Sequence, residues 1–108
     1  MTTFLFSYRM PVDYTPGRSG AVEAWQDYFQ GLGSHLVDPG NPVFAAGGTV
    51  GKGGTDQFRL GGYSLVSADD LAAAVALAEK CPAAAAGGGV EVGLLAEVFR
   101  DGRLLQAG

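Results

Sequence analysis

The chain has 108 residues, enough for one domain whose single core buries about two-thirds of the unfolded surface, and too few for a second. Hydrophobic residues at 47% against 17% charged describe a globular chain and exclude general disorder. Seven Lys plus Arg against eleven Asp plus Glu leave a formal charge of −4 with no basic cluster, which disfavours nucleic-acid partners. Apolar runs fall far short of the roughly 20 residues of a bilayer span and no basic-then-apolar leader opens the chain, so no membrane partner and a cytoplasmic location are expected.

Residues 3–9 are short, aromatic and alternating, with Phe4, Phe6 and Tyr8 on one face, and predict an opening strand. Pro11, Asp13, Thr15, Pro16 and Gly17 then supply a loop before Ser19, a candidate N-cap. Ala21, Trp25, Tyr28, Phe29 and Leu32 form one buried helical stripe, while Glu23, Gln26, Asp27 and Gln30 face outward. Gly31 or Gly33 ends that helix.

Asp38-Pro39-Gly40-Asn41-Pro42 reads as a tight turn flanked by strands, the second beginning at Val43-Phe44-Ala45-Ala46. Glycines at 47, 48, 51, 53 and 54 mark a loose hairpin end or loop. Residues 62–66 predict a third strand, Ser67 a helix cap with Asp70 in a capping-box position, and Leu71, Ala74, Val75 and Ala78 a narrow apolar helix face. Pro82 stops that helix near Cys81. Alternation from Val90 to Phe99 predicts a long final strand, and Asp101-Gly102 could fold the tail over 99–108 into a hairpin with Arg103-Leu104-Leu105, or the tail could fray.

The order β-α-β-β-α-β predicts an α+β, ferredoxin-like domain, with two helices on one face of a four-stranded antiparallel sheet. The other sheet face is then bare. Pairing with a second copy would cover it, and Leu5, Val66 and Leu95 are read as the apolar residues of that face.

Gly61-Gly62-Tyr63, the alanine-rich helix, Cys81-Pro82 and the return Gly88-Gly89-Val90-Glu91-Val92 together resemble the YCII-related domain family over nearly the whole chain. The resemblance implies a dimeric α+β barrel in which two ferredoxin-like protomers pack sheet to sheet. It also implies a candidate enzyme, because one branch of the family joins a histidine and an aspartate in a cleft. This chain departs from that branch: its first helix has no histidine, and Cys81-Pro82 stands at the Asp-Pro step. Against the other branch's Asp-Gly-Pro-Phe it has only Asp56-Gln57-Phe58.

Candidate chemistry gathers in Gly33-Ser34-His35-Leu36-Val37-Asp38. His35 is the sole histidine, the one side chain type poised for proton exchange near neutral pH, and Asp38 is the nearest carboxylate to orient it. Three residues along a strand point to opposite faces, so contact requires the following turn to bend the chain back. The plain alternatives are a surface or capped histidine and an aspartate that accepts turn amides. Arg9 is a candidate anion holder or a surface ion pair, and Ser34 and Tyr63 are candidate ligand contacts. Trp25 and Phe29 are assigned to the core, though an apolar ligand would use the same wall. Cys81 reads as a buried helix-end thiol.

Gly51-Lys52 lacks the spacing of a phosphate loop, having Ala46 and Gly53 at the required positions. One histidine and one cysteine exclude a His- or Cys-rich metal centre within a protomer, so no cofactor is expected. Two functions stay open: a small dimeric enzyme doing acid/base or lyase-type chemistry on a small organic molecule, or a non-catalytic dimeric module that binds one.

Overall fold

The computed structural model describes residues 1–15, 20–44, 47–53 and 57–105. Alternation in the first segment produces strand β1, Thr2–Pro11, in which Phe4, Phe6, Tyr8 and Met10 are buried. Helix α1 is Ala21–Leu32. The predicted cap Ser19 lies outside the described residues; Gly20 holds the cap position, and its N–H donates to Glu23 Oε2 at 3.0 Å. A 3-10 turn, Gly33–His35, leads into the short strand β2, Leu36–Asp38.

The expected strand from Val43 does not form in the described residues: Pro42 makes a single bridge to Gly62, and Val43 N–H donates to Gly61 O at 3.1 Å. Its remaining residues Ala45 and Ala46 lie outside the described ones, as do Pro16, Gly17, Gly54 and Asp56. Residues 39–44 instead run as a strap along strand β3, Phe58–Ala68, which is longer than the predicted 62–66.

The strand's extra length moves the next helix. Ser67 belongs to β3 and donates its hydroxyl to His35 O, while Asp70 is the cap, accepting from Ala73 N–H at 2.8 Å. Helix α2, Leu71–Ala78, therefore turns Ala74 and Ala78 inward, with Leu77 beside them; Leu71 and Val75, expected inside, are exposed. Helix α3, Pro82–Ala85, starts with Pro82 as its first residue and Cys81 as its cap. Proline lacks an N–H, and the first helical turn has no partner for one.

Strand β4 is Gly89–Leu94, shorter than the alternation suggests; pairing fades after Leu95 N–H donates to Thr3 O. Strands β5, Phe99–Arg100, and β6, Arg103–Leu104, form a separate hairpin across Asp101 and Gly102, both with positive φ. That geometry is the one a two-residue hairpin turn requires.

The result is an α+β fold whose four-stranded sheet has the order β2-β3-β1-β4, every neighbouring pair antiparallel. Phe4, Phe6, Val66, Ala68, Tyr28, Leu32, Ala74, Ala78, Cys81 and Ala83 share one core, so all three helices cover the same sheet face. Val66 pairs with Phe4 and is fully buried, which corrects its assignment to the bare face. Leu65, opposite Leu5, takes that place. Neighbouring residues of a strand point to opposite faces, so Leu65 lies on the bare face and Val66 in the core.

Among the described residues no helix is long and apolar enough to cross a membrane.

Candidate functional site

Helix α1 buries Tyr28 and Leu32 but leaves Trp25 and Phe29 only partly covered. The gap between these rings, the sheet and the strap is a cavity of about 580 Å³. Trp25 stands edge-on to Tyr8, ring centroids 4.7 Å apart at 71°, and lies 5.6 Å from Phe29. Such edge-on and tilted contacts suit the charge distribution of aromatic rings and hold the wall in place. Tyr8, Met10, Gly61 and Gly62 floor the cavity; Leu36 and residues 39–44 close its far side.

The strap is tied to β3 at several points. Tyr8 donates its phenol hydrogen to Ser64 Oγ at 2.8 Å, and Ser64 donates its own to Pro39 O at 2.7 Å. Burial pushes the Tyr8 phenol well above the usual tyrosine range, with the Ser64 bond opposing that, so it remains a neutral donor. Gly62 allows the close approach: it has φ of 145°, and a Cβ there would lie 2.9 Å from Asn41 O. Only glycine combines that conformation with that clearance.

The same glycine pair places a cation in the cavity. Tyr8 pairs with Gly62 but Arg9 with Leu60, so Gly61 is an extra residue in β3. A bulge of one residue reverses which face the following side chains take. Arg59 consequently stands opposite Met10, on the helix side, and lines the cavity. Its Nη atoms donate to Val43 O at 3.3 Å and Tyr14 O at 3.4 Å. Among the described residues no carboxylate lies within 4.0 Å of it, the ion pairs there being Arg9–Glu91 and Arg100–Glu97. Although the chain is acidic overall, the described lining contains no Asp or Glu, and no imidazole or thiol.

Of the candidate site residues read from the sequence, Tyr63 borders this cavity and His35, Asp38, Ser34 and Arg9 do not, while Trp25 and Phe29, assigned to the core, form its wall. His35 is half-buried at the end of the 3-10 turn, where Nδ1–H donates to Ser67 O at 2.8 Å. Asp38 is exposed and accepts from Gly40 N–H at 2.8 Å, closing the turn. The two do not form an ion pair with each other. Ser34 is exposed on the same turn. Arg9 lies 3.7 Å from Glu91 Oε2, both well exposed, in a shallower hollow with Phe58 and residues 88–90. Cys81 is 2% exposed, and burial pushes its thiol up to about 11. No group of three or more His, Cys, Asp or Glu among the described residues is arranged to hold a metal.

Arg59 and the cavity were missed from the sequence. Two glycines inside an otherwise regular strand are the signal for a bulge, and counting back through it would have put Arg59 on the helix side.

Comparison of the chain with family models, with curated proteins and with solved structures gave no match.

Proposed function

We propose that this protein binds a small, largely apolar organic molecule in the cavity between α1 and the sheet. The observation that carries the reading is the cavity's size and lining: about 580 Å³, inside the roughly 300–1,000 Å³ range of small-molecule sites, with Trp25, Phe29, Met10 and Leu36 as apolar walls. Burying about 200 Å² of aromatic ligand surface would contribute roughly 5 kcal/mol before the cost of association. Binding without turnover is favoured over catalysis because the described lining offers no group that exchanges protons near neutral pH.

The test is calorimetric titration with 2-naphthamide, a neutral bicyclic probe. Binding that is abolished by Ala21→Trp, which puts a large ring into the cavity lining, and unchanged by Leu65→Ser on the opposite sheet face is expected. Absence of binding, or binding indifferent to Ala21→Trp, would refute it.

One observation favours acid/base chemistry at His35 as a second reading. A carbonyl can only accept, so the bond to Ser67 O puts the proton on Nδ1 and leaves Nε2 as the lone-pair nitrogen of a base. A nitrogen NMR spectrum with the proton on Nε2 would remove that support. In this reading Ser67 O, rather than Asp38, orients the base, and Arg9, six residues along β1 from the partner of Ser67, holds no anion at the same site.

The element order and the sheet order β2-β3-β1-β4 support the ferredoxin-like description. The half-buried Leu5 and Leu65 on the helix-free sheet face, with exposed Leu95 near them, support a homodimer that packs sheet to sheet, as the resemblance to YCII-related domains implies.

A further inference from the structure

Arg59 is the feature that the apolar cavity alone does not explain. A guanidinium carries five N–H donors and a permanent charge. Here two carbonyls accept from it at 3.3 and 3.4 Å, both longer than a strong charge-assisted bond, and no carboxylate of the described chain compensates it. Holding a partly desolvated cation beside aromatic and aliphatic walls is unfavourable unless an anion completes the arrangement.

The chain reaches this state by a specific device. Were Gly61 paired regularly opposite Arg9 rather than bulged out, Leu60 would stand opposite Met10 and face the helix side in place of Arg59. An apolar residue would suit an apolar cavity, yet the bulge substitutes the charged one.

We propose that the cavity's ligand is an aromatic or similarly flat apolar carboxylic acid, its carboxylate paired with Arg59 and its hydrophobic body lying against Trp25 and Phe29. This rests on the cavity being a ligand site, and adds the charge and polarity of the ligand. Arg59 Nη1 and Nη2 meet the two carboxylate oxygens in the planar, paired geometry that guanidinium and carboxylate share. Arg59 binds the acid group; it performs no chemistry on it. Tyr8 is neutral and commits its hydroxyl to Ser64, so it adds no second charge beside the anion.

The test is a comparison of 2-naphthoate with 2-naphthamide, which have the same shape and differ in charge at pH 7, titrated calorimetrically into the wild-type protein and Arg59→Gln. The expected result is at least tenfold tighter binding of the naphthoate by the wild type, a preference lost in Arg59→Gln, and amide binding changed less than twofold by the substitution. Equal affinity of the two probes for the wild type would overturn the carboxylate assignment and leave the cavity reading intact. Loss of both probes in Arg59→Gln would also overturn it, showing that Arg59 serves only to hold Val43 and Tyr14. If the wild type binds neither probe, the carboxylate assignment and the cavity reading fall together.

Discussion

Replacing Ser64 tests how the strap is fastened over the cavity. Ser64 is fully buried, accepts from the Tyr8 phenol at 2.8 Å and donates to Pro39 O at 2.7 Å. In Ser64→Ala the Tyr8 hydroxyl, on a residue only 4% exposed, loses its acceptor. Pro39 is exposed, so its carbonyl can turn to water. The cost is then mainly that of one unsatisfied buried donor, about 1–3 kcal/mol. Tyr8→Phe is milder at about 1 kcal/mol, because Ser64 keeps its bond to Pro39 and only a lone pair goes unused. The double variant removes both the donor and its acceptor and leaves no orphan. Its loss should therefore fall short of the sum of the single losses by about 1 kcal/mol or more. Urea unfolding followed by circular dichroism measures this. With a slope of about 1–3 kcal/mol/M, a loss of about 2 kcal/mol moves the midpoint by roughly 1 M. Single losses that add to within about 0.5 kcal/mol would refute the chain of bonds from Tyr8 through Ser64 to the strap.

Three further expectations follow from the packing. Burial raises the Cys81 thiol from 9.0 to about 11, so the folded state holds that proton more tightly than the unfolded state. The associated stability is complete below pH 9 and is lost as pH rises towards 11; urea midpoints between pH 8 and 11 should fall more steeply for the wild type than for Cys81→Ala, and parallel slopes would contradict this. Gly62→Ala combines a positive φ with a clash against Asn41 O and should cost about 1–3 kcal/mol, whereas Gly93→Ala, with open space around it, should cost less; equal urea midpoints would refute the close approach of the strap. Light scattering should give twice the chain mass, and Leu65→Glu, on the helix-free sheet face, should reduce it to one; a wild-type monomer would refute the sheet-to-sheet pairing.

The parts of the fold legible in the sequence are those governed by local periodicity. Phe4, Phe6 and Tyr8 share a face because strand side chains alternate, and Tyr28 and Leu32 meet the core because they lie one helical turn apart. The misread parts are those where a neighbour decides. Ser67 has the chemistry of a cap, but pairing with Thr3 on β1 keeps the chain extended past it, and Asp70 becomes the first side chain placed to cap α2. Once that start moves, Leu71 and Val75 rotate outward and two alanines face the sheet. Val43 looks like strand but has only the glycine-interrupted stretch of β3 beside it, and pairing there reduces to one bridge and one backbone bond.

The candidate site was harder to read for the same reason. His35 and Asp38 attract notice as residue types, yet each is occupied by a backbone group near the edge of the sheet. The cavity depends on how far α1 stands from the sheet, which no local pattern records. Arg59 depends on one bulge, and a strand taken to begin at residue 62 stops just short of it.

If the space between α1 and the sheet takes a small molecule, a crystal of the protein soaked with 2-naphthoate will show it. Density for the ring system is expected against Trp25 and Phe29, with its carboxylate at Arg59. Density confined to the outer sheet face or the His35 turn, or a cavity that stays without ligand at saturating probe, would contradict it.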